Sequence, residues 1–283
     1  MGQDEKRRNE LNRRNRELRG RRVVASLAAL LVAALALSGC SGDSGTITEA
    51  GSTSVQPLAE VLAEAYMSDN PDVTIVIQGG GSSTGVKSAD EGTVDIGAAS
   101  RELKPSEPDL VKHLLARDGI AIVVHPGGPI DGMTREQVKE VFAGNIVNWS
   151  ELGGPDEDIH VVAREEGSGT RGAFEEMVMG EEPITGEAIL QNSNGAVRTV
   201  VSGTEWAIGF LSFGYIDSSI KALEIDGVAA TTANALNGSY PVVRPFYFLT
   251  AEEPEGLVKG FLDFCKSPQG QDIVEDEGYI RVD

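Results

Sequence analysis

Cysteine is almost absent from this chain, with only Cys40 and Cys265 among 283 residues. Two cysteines allow at most one bridge, so no disulfide framework holds the fold and stability must come from a buried core. Histidine is nearly as scarce, limited to His113, His125 and His160. None of the three sits in a loop that suggests an active site, and no His, Cys and Asp cluster has metal-ligand spacing. A metal centre is not expected, and a hydrolytic triad would lack its base. Positive charge is short as well. Nine of the 24 Lys and Arg, but only four of the 44 Asp and Glu, fall in residues 1–39. From Cys40 onward 15 basic residues face 40 acidic ones, a net charge of −25. A protein that neutralises a nucleic-acid backbone needs a basic face, so nucleic acid is excluded as a partner. A surface this acidic also cannot steer an anion by net charge, so anion binding must rest on local dipoles and a few arginines. No apolar run reaches the ~20 residues of a comfortable membrane span.

The apolar run that does exist, Val23 to Leu37, follows an Arg-rich lead-in and closes on Leu37-Ser38-Gly39-Cys40. Small residues before a cysteine read as a lipoprotein signal peptide over 1–39. Cys40 is then the lipidated N-terminus, and 40–45 is a lipidated residue with a flexible polar tether. An uncleaved anchor helix is the alternative, and Arg21-Arg22 leaves the export route open. Either way the rest of the chain is expected outside the cytoplasm, anchored to the cell membrane.

Three stretches of the mature chain combine glycine with small hydroxyl residues ahead of a helical pattern: GSTSVQP from Gly51, GGGSSTGVK from Gly79 and REEGSGTR from Arg164. Glycine admits a ligand close to backbone N–H groups, Ser and Thr add hydroxyl donors, and a helix N-terminus carries unsatisfied N–H groups. That is the chemistry of an oxyanion cradle, and three cradles can surround one tetrahedral anion. β-Branched runs at Val73–Gln78, Val94–Ala98, Ile120–His125, Ile159–Ala163, Ala207–Ser212 and Pro241–Thr250 read as strands. They alternate with helical patterns at Val55–Met67, with Ser54 as N-cap, and at Thr134–Ala143, which opens on a Thr-x-x-Gln capping box. Further helices are predicted at Gly172–Val178, Ala196–Val201 and Leu257–Cys265. This alternation predicts an α/β fold whose ligand sits at the carboxyl ends of strands. His125-Pro126-Gly127-Gly128-Pro129 is the strongest chain breaker and a candidate hinge.

Two motifs mislead. GSSTG at Gly81–Gly85 matches the nucleophile elbow of serine hydrolases but lacks a histidine partner, and Val86 breaks the P-loop spacing of the same stretch. The three cradles instead resemble those of the phosphate-binding proteins of phosphate ABC importers, the short branch of the PstS family. TVDIGAASRELK, FAGNIVNWSELGG, WAIGFLSFGY, YPVVRPFYFLT and SPQGQ extend the resemblance in family order from Thr46 to the C-terminus.

That resemblance implies a type II periplasmic-binding fold: two α/β lobes joined by two crossover strands, lobe I from 46–126 plus 239–283 and lobe II from 127–238. It implies a monomer without cofactor or metal that binds inorganic phosphate, performs no reaction and partners a membrane permease. Carried over by position, Thr53, Ser54 and Ser82 donate from lobe I. Ser168, Gly169 and Thr170 donate from lobe II, with Arg164 adding a charge-assisted bond. Ser100-Arg101 occupies the corner where the long branch places a carboxylate, making Arg101 a second cation and leaving the acceptor of the phosphate proton among Glu165, Glu166 and Asp95. Receptors for sulfate, molybdate or tungstate share such donors, and a secreted phosphatase is the rival from another class.

Overall fold

The computed structural model describes residues 44–282, so the leader and Cys40 lie outside the described residues. The chain builds β1 (Gly45–Gly51), α1 (Gln56–Asp69), β2 (Val73–Gly79), α2 (Ser82–Asp90) and β3 (Ile96–Ala99) before entering a long strand, β4 (Val111–Val124). β5 (Gly132–Met133), α3 (Arg135–Ala143), β6 (His160–Arg164), α4 (Gly169–Phe174), β7 (Ile189–Gln191), α5 (Asn194–Gly203) and β8 (Ala207–Ser212) follow. After β9 (Lys221–Ala222), β10 (Glu224–Ile225) and α6 (Thr232–Leu236), the chain returns through β11 (Val243–Thr250) and ends in α7 (Gly256–Lys266) and α8 (Pro268–Asp276).

The main sheet runs β2-β1-β3-β11-β4-β8-β6-β7, with β9 also on β4. β1 pairs in parallel with β2 and β3, and β8, β6 and β7 form a second parallel set; β4 and β11 lie between the two sets, antiparallel to their neighbours. Two large hydrophobic cores result, beside a small third cluster of Val86, Ala89, Ala99, Leu110 and Leu249. The first gathers Ile47, Leu58, Leu62, Ile96, Leu115, Phe246, Phe248 and Phe261. The second gathers Ile122, Phe142, Trp149, Phe174, Phe210 and Tyr240. Both crossover strands feed both cores. β4 leaves the first at Ala116 and enters the second at Ile120, and β11 passes from Val243 to Phe246 in the reverse sense.

The change of core therefore falls inside β4, at Arg117-Asp118-Gly119, rather than at the Pro- and Gly-rich segment 125–129. Polar residues there conceal a continuous strand, which sequence patterning starts only at Ile120. β1 escapes the same reasoning because GTITEAG is short and half polar. The expected capping box of α3 is present, with Thr134 accepting from the Gln137 amide and Gln137 from the Thr134 amide. Ser54 does not cap α1: Val55 holds that position without a side-chain bond, and the serine hydroxyl turns elsewhere.

One buried group runs against the hydrophobic logic. Glu49 follows Ile47 on the core-facing side of β1, is 1% exposed, and its Oε2 has no hydrogen-bond partner. Burial, with repulsion from Glu60, pushes its carboxyl up to about 8. An acid with a raised folded-state pKa holds its proton in the native protein while the unfolded chain has lost it, so stability falls as pH rises from about 4.5 to about 8. Glu49→Gln removes that titration. Its stability relative to wild type, measured by urea unfolding, is expected to improve by on the order of 2–4 kcal/mol between about pH 5 and pH 8; a constant difference would mean the carboxyl is not buried as described.

Candidate anion-binding site

The three glycine-hydroxyl stretches come together at the carboxyl ends of β1, β2 and β6. Gly51 ends β1 with φ +150°, and a Cβ there would lie 2.2 Å from the Ala98 carbonyl oxygen, so the chain can pass only as glycine. Its carbonyl accepts the Gly80 and Gly81 amides at 2.8 Å each, tying the second stretch to the first. The third approaches from the opposite lobe, where Ser168 caps α4 by accepting the Arg171 amide at 3.2 Å. The lobes touch. The Ser83 amide donates to the Gly167 carbonyl at 3.1 Å, the Ser54 and Thr170 hydroxyls are 2.8 Å apart, and Tyr215 donates to the Thr53 carbonyl at 2.8 Å. A Cβ at Gly169 would fall 2.1 Å from Ser82 Oγ and 2.5 Å from Ser100 Oγ.

Two buried guanidinium groups face this junction. Arg164, 1% exposed, donates through Nε and Nη2 to the Glu165 carboxylate at 3.2 and 2.9 Å and to the carbonyls of Gln191 and Asn192. Its Nη1 has no partner. A buried guanidinium N–H without an acceptor is costly, and an anion at that place would satisfy it. Arg244 is fully paired: Nε and Nη2 donate to Asp118 at 3.1 and 2.9 Å, Nη2 also to Ser54 Oγ at 3.0 Å, and Nη1 to Ser100 Oγ at 3.1 Å. Burial pushes Asp118 up and Arg244 down, each against the pull of the other.

Ser54, Ser82, Ser100, Gly169, Thr170, Thr53 and Arg164 thus converge, with Ser168 on the adjoining turn. Arg101 does not share their role. It is buried, but its fork grips the Glu107 carboxylate at 2.8 and 2.6 Å and its Nη2 also donates to Ser83. Partial burial pushes Glu107 up, but the Arg101 fork and the Lys104 amide outweigh it and hold the carboxyl low, so this cation is already matched. Asp95 lies at the amino end of β3, away from the cradles, accepting the Thr48 amide and hydroxyl. Glu166 is exposed, whereas Glu165 is 35% exposed at the rim beside Gly81. Ser83, the nucleophile of the misleading elbow, bonds Arg101; His113 bonds Thr250 and Lys266, and His125 accepts from its own loop. Trp149 is fully buried, donating to the Trp206 carbonyl, as a packing residue would.

Sequence reasoning missed Arg244, Asp118, Asn194 and Tyr215. Asn194 donates to Ser54 Oγ at 2.8 Å while its carbonyl oxygen accepts the Ser212 amide, which fixes the amide orientation. A signal existed for the charged pair: an arginine in VVRPFYF and an aspartate in LLARDGIAIVV interrupt runs that are otherwise core-forming, and a charge there needs a partner.

Residues 38–269 match the family described as the PBP superfamily domain. The phosphate-binding protein PstS of Bacillus subtilis is 39% identical over 246 residues, 84% of this chain and 81% of that protein. A phosphate ABC transporter substrate-binding protein from Clostridium perfringens, solved with bound phosphate, is 45% identical with a TM-score of 0.82, over 84% of this chain and all of that one. An ABC-type phosphate transport receptor from Vibrio cholerae is 37% identical with a TM-score of 0.71, over 83% of this chain and all of that one. With two α/β lobes on two crossover strands and its glycine-hydroxyl turns meeting between them, the chain belongs to the PBP superfamily and, within it, to the PstS family of phosphate-binding proteins.

Proposed function

We propose that this chain binds inorganic phosphate between its lobes and delivers it to the membrane permease of an ABC importer, as a monomeric lipoprotein held outside the cytoplasm by a lipid on Cys40. The observation that carries the reading is the unpartnered, buried Nη1 of Arg164, on a guanidinium whose Nη2 lies 3.5 Å from the Thr53 hydroxyl, next to the junction where the buried hydroxyls of Ser54 and Thr170, and of Ser82 and Ser100, meet. In this reading Arg164 supplies the cation, the hydroxyls and the amides around Ser168 and Gly169 supply neutral donors, and Glu165 accepts the proton that phosphate carries and sulfate lacks. Lobe I is taken as the chain around the first core and lobe II as that around the second.

Calorimetric titration tests the binding. Arg164→Ala is expected to weaken phosphate by about 2–4 kcal/mol, the scale for removing a desolvated charge-assisted contact. Wild type is expected to prefer phosphate to sulfate by at least about a hundredfold, ~2.7 kcal/mol, and Glu165→Gln to relax that preference, because an amide can donate where the carboxylate only accepted. Equal affinities in wild type would favour a general oxyanion receptor, and turnover of a phosphate ester would favour a phosphatase.

Gly169→Ala probes closure. The added methyl would overlap Ser82 and Ser100 across the lobe boundary, so phosphate affinity should drop more than about tenfold with the melting temperature of the free protein little changed. Retained affinity would place the ligand outside the closed junction.

Anchoring is tested by metabolic labelling with palmitate. Cys40→Ser should lose the label and keep phosphate affinity; label retained in the variant would remove Cys40 as the lipid site.

A further inference from the structure

Some bonds between the lobes owe nothing to a ligand, and the sequence shows why they form. In an α-helix each amide reaches back to the carbonyl four residues before it. α1 opens on Gln56-Pro57, and Pro57 has no N–H to offer the Thr53 carbonyl. That carbonyl is met from the other lobe, by the Tyr215 hydroxyl at 2.8 Å. A second such bond joins the other two glycine-hydroxyl stretches. Ser168 takes the Arg171 amide through its side chain at 3.2 Å, and the Gly167 carbonyl, four residues before that amide, accepts the Ser83 amide at 3.1 Å instead. Ser83 lies in the first turn of α2, where an amide has no intrahelical partner. In both bonds a carbonyl that its own helix leaves open is filled across the lobe boundary. Tyr215 is held ready for this. It ends the turn Phe213–Tyr215 after β8, and the Arg198 guanidinium of α5 lies 5.9 Å from its ring while pairing with Asp217 at 2.9 Å. Burial, with repulsion from Glu60, keeps the phenol above its ordinary range although Arg164 and Arg198 pull the other way, so the hydroxyl keeps its proton and donates.

We propose that Tyr215 is a latch, a positioning residue that does not touch the anion but ties the lobes together through the Thr53 carbonyl in the empty protein as well as the loaded one, and so sets the rate at which phosphate leaves. The inference rests on the phosphate reading given above. An anion enclosed between the lobes cannot escape until they part. Parting breaks the Tyr215 and Ser83 bonds whatever the cleft holds, so the same bonds that slow release also let the empty protein close.

Tyr215→Phe removes the hydroxyl and leaves the ring beside Arg198. Release of radiolabelled phosphate into excess unlabelled phosphate, followed by rapid filtration, should become about fivefold faster or more, the scale of one hydrogen bond left unmade. The association rate should stay level or rise, because a weaker latch leaves more of the empty protein open. A second readout lies on a different contact. Hydrogen exchange of the Ser83 amide, followed by NMR in phosphate-free protein, reports the closed fraction, since its acceptor Gly167 belongs to the other lobe. Wild type should protect this amide, and Tyr215→Phe should cut the protection about fivefold although it alters neither partner. Arg198→Met withdraws the support and keeps the hydroxyl; it should move both readouts the same way by a smaller factor, and it carries the test if Tyr215→Phe does not fold. Failure of wild type to bind phosphate overturns the functional reading itself. Phosphate binding with release changed less than about twofold in a folded Tyr215→Phe, with a falling association rate, or with a Ser83 amide unprotected in empty wild type overturns only the latch.

Discussion

The Asp118–Arg244 ion pair is the interaction on which the arrangement depends. The two residues are register partners on β4 and β11, at the point where both strands leave one core for the other. Both side chains are essentially fully buried, at 0% and 1% exposure. Such a pair is weak evidence for stability, because desolvation offsets much of the attraction. Its value lies in where it stands. A neutral crossing could bend without consequence for the cleft, whereas this one carries a guanidinium fork into the loops after β1 and β3, reaching Ser54 and Ser100 at once. Hinge and ligand junction are thereby one hydrogen-bonded assembly.

The surrounding electrostatics explain how a strongly acidic chain can host an anion site. Net charge acts at long range and is screened beyond about 8–10 Å in salt, while the groups that matter here are buried and nearly in contact. Arg164 is half-neutralised at the rim by Glu165, Arg244 by Asp118, and Arg101 is removed from play by Glu107. What is left for a ligand is the open Nη1 of Arg164, with its two N–H groups, and a set of hydroxyl and amide dipoles. Selectivity in such a site comes from which lone pairs and hydrogens are free, a finer discriminator than charge.

Much of this was legible beforehand. The glycine-hydroxyl stretches announce cradles because glycine, serine and threonine at strand ends have few other uses together, and all three stand at the junction. The capping box of α3 and the apolar faces of α1 and α7 follow from periodicity alone. What stayed hidden was long-range pairing. The resemblance offers Arg101 as a second cation, and its pairing with Glu107 across the following turn is not legible from either residue alone. Asp95 looked like an acceptor because a strand's polar end cannot be told from its functional end by spacing. Arg244 sits 126 positions from Asp118, and nothing local in VVRPFYF says what the charge will meet. Ser54 stands where a helix cap is expected as well as a ligand donor, yet it caps nothing and its oxygen is claimed by Asn194 and Arg244.

The two connections between the lobes are neighbouring strands of one ladder rather than separate threads. β11 pairs with β4 from Val243 opposite Gly119 to Thr250 opposite Val111, with a single irregularity between Phe246 and Tyr247. Two independent tethers would let the lobes swing, slide and rotate. A hydrogen-bonded ribbon resists sliding and sideways splay, leaving bending across its face and twist as the compliant directions. The lobes are thus geared to each other: the path along which they meet is set by the ribbon's stiffness before any ligand arrives, and the anion needs only to choose a point along it.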